Sequence, residues 1–82
     1  MEEFLTYLLS KIVDKPENIL LERKEDNQSI IINLKVEKND LSKVIGKNGR
    51  TIQAIRLLLQ TYLLKEGSPI KKIFLNLGER KS

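Results

Sequence analysis

The sequence predicts an α+β fold: a two-layer sandwich of one three-stranded sheet with its helices on one face, in the order α-β-β-α-α-β. Three observations carry that prediction. Two stretches rich in branched apolar residues, "NILLERK" and "SIIINLKVE", stand either side of the polar "EDNQ". Two helical stretches are parted by "GKNG", and a third alternating stretch, "IKKIFLNL", follows Gly67 and Pro69. At 82 residues, 40% hydrophobic and 32% charged, the chain reads as one globular domain, 1–82, with a modest core and no repeat, linker or low-complexity segment.

The first helix is expected over 1–15. Phe4, Leu5, Leu8, Leu9 and Ile12 recur at helical spacing, Glu2 and Glu3 suit the positive end of the dipole, Lys11 and Lys15 suit the negative end, and Pro16 ends the run. A β-hairpin is expected over 18–37. In its second strand Ile30, Ile32, Leu34 and Val36 share the core face, leaving Ile31, Asn33, Lys35 and Glu37 on the other. Helix, loop and helix then fill 40–66. The first of the two, "NDLSKVI", takes Asn39 or Asp40 as its cap, and the second starts near Arg50 or Thr51. On that longer helix Ile52, Ile55, Leu58, Leu59, Tyr62 and Leu63 form the core stripe, and Gly67 suits its left-handed end. The last strand is expected over 70–77, with Ile73, Leu75 and Leu77 on one side and Lys72, Phe74 and Asn76 on the other, before a polar tail over 78–82. The crossover between the second and third strands makes them parallel, with a right-handed connection.

Fifteen basic against eleven acidic residues give a net charge of +4, which favours polyanionic partners. The absence of histidine and cysteine removes imidazole catalysis, thiol chemistry, disulfides and zinc clusters. Glu22, Glu25 and Asp26 suggest no carboxylate pair in a pocket, so no enzyme and no cofactor are expected. No apolar run approaches the roughly 20 residues of a membrane span. The chain opens on Met1-Glu2-Glu3, acidic where a signal peptide would be basic, so the expected location is the cytoplasm.

"VIGKNGRTI", residues 44–52, is the most informative stretch. A GxxG between two helices is by itself a turn in which glycines relieve backbone strain. Its surroundings point further. No Ser, Thr or Asp caps the helix that follows, although Asn48 is placed to serve, and an uncapped helix N-terminus attracts anions. The glycines leave room for a sugar-phosphate chain, and Lys43, Lys47 and Arg50 cluster around them, with Arg56 farther along. A nucleotide-triphosphate loop is ruled out by spacing: that motif has four residues between its glycines, then Gly-Lys-Ser/Thr, and it follows a strand.

Together with the element order, "VIGKNGRTIQAI" resembles the signature of the K homology (KH) domain, whose GxxG loop clamps about four single-stranded nucleotides. The extra helix and strand precede the core unit, so the resemblance is to the type II arrangement. A free-standing domain of this size carrying "KVIGKNGR" is similar to the bacterial KhpA family of small RNA-binding proteins. That resemblance covers nearly the whole chain. It implies RNA binding without catalysis, as a homodimer or with a larger KH-containing partner, in post-transcriptional control or RNA chaperoning linked to cell division, cell shape and cell-wall growth.

Carried onto this chain, the resemblance makes Gly46, Lys47, Asn48 and Gly49 the clamp, with Lys43 and Arg50 as flanking cations. Ile45, Ile52 and Leu34 are the groove residues expected against bases, and each fits plain core equally well. The two Tyr and two Phe do not cluster near the loop, so aromatic stacking is missing there and each domain should bind weakly. A second copy would offset that weakness. Ala54, Leu57, Thr61 and Leu64 follow a 3-4 spacing away from the core stripe and form a candidate dimer seam, or else include two ordinary exposed leucines. That seam keeps a second reading open, a protein-interaction module on a KH scaffold. Lys71, Lys72, Arg80 and Lys81 read as a solvated basic face.

Overall fold

The computed structural model describes residues 1–70 and 72–80. Six elements follow in the expected order: α1 (Glu2–Ser10), β1 (Leu20–Glu25), β2 (Ser29–Val36), α2 (Leu41–Ile45), α3 (Arg50–Lys65) and β3 (Lys72–Glu79). Short 3-10 turns over Pro16–Asn18, Lys38–Asp40 and Lys47–Gly49 join them.

The sheet order is β1-β2-β3. β1 runs antiparallel to β2 from Leu20↔Lys35 to Glu25↔Ile30, and β3 runs parallel to β2 from Ser29↔Lys72 to Val36↔Glu79. The period-2 alternation of β2 is realised in full: Ile30, Ile32, Leu34 and Val36 are buried beneath the helices, while Ile31 and Lys35 are exposed on the opposite face. The hairpin turn is closed by Asp26, whose carboxylate accepts from the N–H groups of Gln28 and Ser29, both at 2.8 Å, and lies below the ordinary carboxylate range for that reason.

Leu5 and Leu9 of α1, Val44 of α2, and Ile55, Leu59 and Leu63 of α3 meet the β2 side chains to form the core. Phe4 stacks on Tyr62 at 5.2 Å between ring centroids, fastening α1 to α3. Leu58, expected in this core, is 45% exposed instead. The buried arc is set by Ile55, Leu59 and Leu63, and Leu58 is rotated about 100° from Leu59, which puts it on the flank.

Two expected boundaries differ. The first helix stops at Ser10 rather than at residue 15. The N–H groups of Ile12 and Val13 both turn back to the Leu9 carbonyl, and those of Asp14 and Lys15 donate to the Asp40 carboxylate at 3.1 and 3.0 Å. A helix continuing to Lys15 would need those last two donors for its own carbonyls. The last strand lies over Lys72–Glu79, two residues later than expected, because it pairs along the whole of β2; the Arg80 N–H then donates to the Val36 carbonyl at 2.7 Å. Gly78 and Glu79 therefore belong to the sheet, not to a tail. Lys71, Lys81 and Ser82, placed by the sequence in the last strand and the tail, lie outside the described residues.

Asp40 is 1% exposed and is the one buried charged side chain among the described residues. It does not cap α2 with its side chain, contrary to expectation, because that carboxylate is turned toward Asp14 and Lys15. Nor does Asn39 cap α2: its own N–H is held at 2.7 Å by the Glu37 carboxylate, which caps the preceding 3-10 turn. The Asp14 N–H, then the Lys15 N–H and the nearby Lys43 ammonium, hold the Asp40 carboxyl below the ordinary carboxylate range against the opposing pull of burial. A depressed folded pKa gives stabilisation that is complete above the ordinary aspartate value and fades as pH falls through the folded one. Asp40→Asn should therefore melt at least about 5 °C below wild type at pH 7, with the gap narrowing below about pH 4. Parallel thermal melts from pH 7 to pH 3 check this, and a gap that stays constant would contradict it.

Candidate nucleic-acid interface

The chain from Val44 to Arg50 leaves a short helix, turns through about four residues and enters a long one, and its backbone explains the residue choice. α2 ends when the Gly46 N–H donates to the Ser42 carbonyl at 2.9 Å. Gly46 then takes φ 77°, ψ 173°, a region essentially confined to glycine. Asn48 follows at φ 56°, ψ 29° and Gly49 at φ 74°, ψ 14°, two left-handed residues in succession. Asparagine is among the residues that tolerate this conformation best after glycine.

The two glycines serve different ends. A Cβ on Gly46 would lie 2.1 Å from Thr51 Oγ1 and 2.8 Å from the Thr51 backbone nitrogen, so the space the missing side chain leaves is filled by the first turn of α3. Room for a ligand, the sequence-based reason for this glycine, is therefore not its role. A Cβ on Gly49 would meet nothing within 4 Å, so this glycine answers only to its φ.

Among the described residues no side chain caps the first-turn N–H groups of α3; Asn48 does not cap it. The helix dipole therefore faces outward at Gly49, flanked by the exposed Lys47 and Arg50. Ile45 is exposed at the end of α2, and Ile52 is half-buried one turn into α3, so both adjoin the loop.

Two expected site residues stand elsewhere. Leu34 is 1% exposed, enclosed between sheet and helices, and its side chain offers no surface to a base. The helices cover that face of the sheet so fully that Leu34 reaches no groove. Lys43 is engaged by carboxylates: its ammonium bonds the Asp14 carboxylate and lies 3.7 Å from Asp40 Oδ1, and the Asp14 bond foremost raises it above the ordinary lysine range. Its charge is met by two carboxylates before any phosphate arrives.

One contributor stood apart in the sequence. Arg56 and Gln60 on one flank of α3 line a shallow groove of about 260 Å³ with Lys72–Asn76 of β3. The Arg56 guanidinium donates to Gln53 Oε1 at 3.2 Å, and its Nε has no partner. The i, i+4 spacing of Arg56 and Gln60 was readable, but that β3 would lie beside them required the packed fold.

A helix-GxxG-helix unit laid on a three-stranded mixed sheet, with a helix and strand preceding it, defines a type II KH domain. The family model of the KhpA/KhpB KH domain matches residues 2–74, and the chain belongs to that family. The chain is 51% identical to the RNA-binding protein KhpA of Chlamydia trachomatis over 59 residues, covering 72% of this chain and 76% of that one. It is 43% identical to RNA-binding protein KhpA of Bacillus subtilis over 56 residues, 68% of this chain and 69% of that one. With RNA-binding protein KhpA of Clostridium perfringens the identity is 37% over 70 residues, 85% and 93% of the two chains. Among solved structures, a point variant of Aquifex aeolicus Era bound to GDP and AlF4− superimposes with a TM-score of 0.70 over 98% of this chain and 30% of that one, at 16% identity, a likeness of fold alone.

The loop geometry ranks two substitutions. Gly46→Ala forces a clash with the α3 backbone and an unfavourable φ/ψ pair, at a cost of roughly 1–3 kcal/mol for the backbone conformation before the clash. Gly49→Ala meets open space and incurs only the left-handed penalty of about 1 kcal/mol. Urea denaturation should rank the proteins wild type, Gly49→Ala, Gly46→Ala in falling midpoint; equal midpoints for the two variants would refute the Thr51 contact as the reason.

Proposed function

We propose that the protein binds single-stranded RNA, with the loop Gly46-Lys47-Asn48-Gly49 against the sugar-phosphate backbone and Ile45 and Ile52 beside the bases. Arg50 is the flanking cation; Lys43 serves instead as a structural cation. The observation that carries this reading is the uncapped α3 N-terminus flanked by exposed Lys47 and Arg50, in a chain whose relatives are named RNA-binding proteins. The outcome we infer is post-transcriptional regulation or RNA chaperoning, without catalysis. No group of His, Cys, Asp and Glu able to hold a metal occurs among the described residues. No helix among them is long and apolar enough to cross a membrane.

In a titration at low salt against short single-stranded RNAs, Lys47→Asp/Asn48→Asp should lose at least about 10-fold in affinity while keeping the wild-type circular dichroism spectrum, and Lys47→Ala should reduce the slope of log affinity against log salt by roughly 0.7. A folded Asp-Asp variant that binds like wild type would sink the loop reading.

We further propose a paired state, a homodimer or a heterodimer with a larger KH-containing protein, through the seam Ala54, Leu57, Thr61 and Leu64. Its support is exposure: Leu57 and Leu64 stand 63% and 77% open to solvent, and Leu58 extends the same apolar surface. This seam also favours a second reading in which the domain chiefly recruits protein. Leu57→Lys should move the sedimentation profile toward monomer, and an unaltered profile would reduce the seam to ordinary surface.

A further inference from the structure

The helices cover one face of the sheet and leave the other bare. On that open face the strand register sets side chains in rows. Lys24, Ile31 and Phe74 form one row, Glu22, Asn33 and Asn76 the next, and Leu20, Lys35 and Gly78 the third. Lys72, beside Ser29, completes the face next to Phe74.

Its chemistry is that of a nucleic-acid platform. Phe74 is 48% exposed on the edge strand β3, and with Ile31 as its cross-strand neighbour it presents an apolar spot toward the Ser29 and Lys72 end of the face. The other exposed aromatic among the described residues, Tyr7, has Lys11 over its ring at 5.2 Å and stands beside Glu2 and Glu3, a setting that repels phosphate. On this face the sign reverses: Lys24, Lys35 and Lys72 carry three positive charges against the carboxylates of Glu22 and, just past the end of β2, Glu37, which is held by the Asn39 N–H. The nearby Asp26 is occupied by its own turn. The aliphatic stem of Lys35 lies beside Gly78, its Cγ 3.9 Å from where a Cβ would stand. Asn76 Nδ2 donates to Asn33 Oδ1 at 3.1 Å, and the side-chain amides keep Asn76 Oδ1 as an acceptor and Asn33 Nδ2 as a donor for a base edge.

We infer that this open face is a second contact surface for single-stranded RNA, stacking a base on Phe74 and holding phosphates with Lys24, Lys35 and Lys72, for nucleotides that run beyond those held at the GxxG loop. The inference rests on the RNA-binding reading given above. It assigns the stacking platform that the loop region lacks, since the aromatics near α3, Phe4 and Tyr62, are stacked on each other. Charge argues against a second copy of the chain as the occupant, because a face-to-face pair would set six lysine ammonium groups across one interface.

The test uses fluorescein-labelled random pools of 4-nucleotide and 12-nucleotide single-stranded RNA, titrated against wild type, Phe74→Ala, Lys24→Gln/Lys72→Gln and the Lys47→Asp/Asn48→Asp loop variant. Both sheet variants should lose about 5-fold or more in affinity for the 12-mer and match wild type on the 4-mer, while the loop variant weakens on both. Sheet variants that bind the 12-mer like wild type overturn the inference and leave the loop reading standing. Wild type that binds neither pool removes both. Phe74→Ala that alters sedimentation but not RNA affinity makes the face a protein interface and overturns the RNA assignment.

Discussion

The carboxylate of Asp40 holds three parts of this small protein in register. It sits at the junction between β2 and α2, receives N–H groups from Asp14 and Lys15 at the far end of the α1 connection, and approaches Lys43 on α2. A buried carboxylate is costly unless it is hydrogen-bonded and met by opposite charge. Here both conditions hold, and meeting them fixes geometry. The donors of residues 14 and 15 are taken from α1, which ends the helix, and the ammonium of Lys43 is drawn to the Asp14 and Asp40 carboxylates, which leaves the loop after Ile45 to be served by Lys47 and Arg50.

Downstream, the close approach of Gly46 to Thr51 presses the loop onto the first turn of α3. With Asn48 and Gly49 both left-handed, the chain enters α3 without a side chain over its first amides. The loop thus leads directly into the exposed end of a helix dipole. The glycine and asparagine identities follow from backbone angles; the attraction for anions follows from the uncapped dipole and from which cations remain free.

The sheet was legible because β2 alternates strictly and because a crossover of two helices leaves parallel pairing as the simple outcome. The loop was legible through its setting, with apolar residues and cations around the glycines and the α-β-β-α-α-β order that resembles a KH domain; the GxxG alone signals only a turn. What the sequence hid were contacts between distant residues. Lys43 and Asp14 are separated by 29 positions, and nothing in local pattern pairs them. The same long-range donor competition shortened α1. Leu34 was misplaced for a different reason: period 2 tells which residues share a face but not that this face is covered so fully that none of them reaches a groove. Leu58 fell on the margin of a helical wheel, where a rotation of about 100° separates core from surface and only the neighbouring elements determine the side.

α3 divides its circumference among three tasks. Ile55, Leu59 and Leu63 face the core, Arg56 and Gln60 face β3, and Ala54, Leu57, Leu58, Thr61 and Leu64 face outward. An 82-residue domain has little surface to spare, and a single GxxG loop without an aromatic partner offers few favourable contacts to a strand of RNA. On the proposed RNA-binding reading, affinity would come from linkage, since two weak contacts joined on one body or through one dimer act at high effective concentration. The exposed leucines of α3 and Phe74 on the sheet lie on different faces of the molecule, so pairing with a second chain through α3 would leave the open sheet face uncovered in each copy.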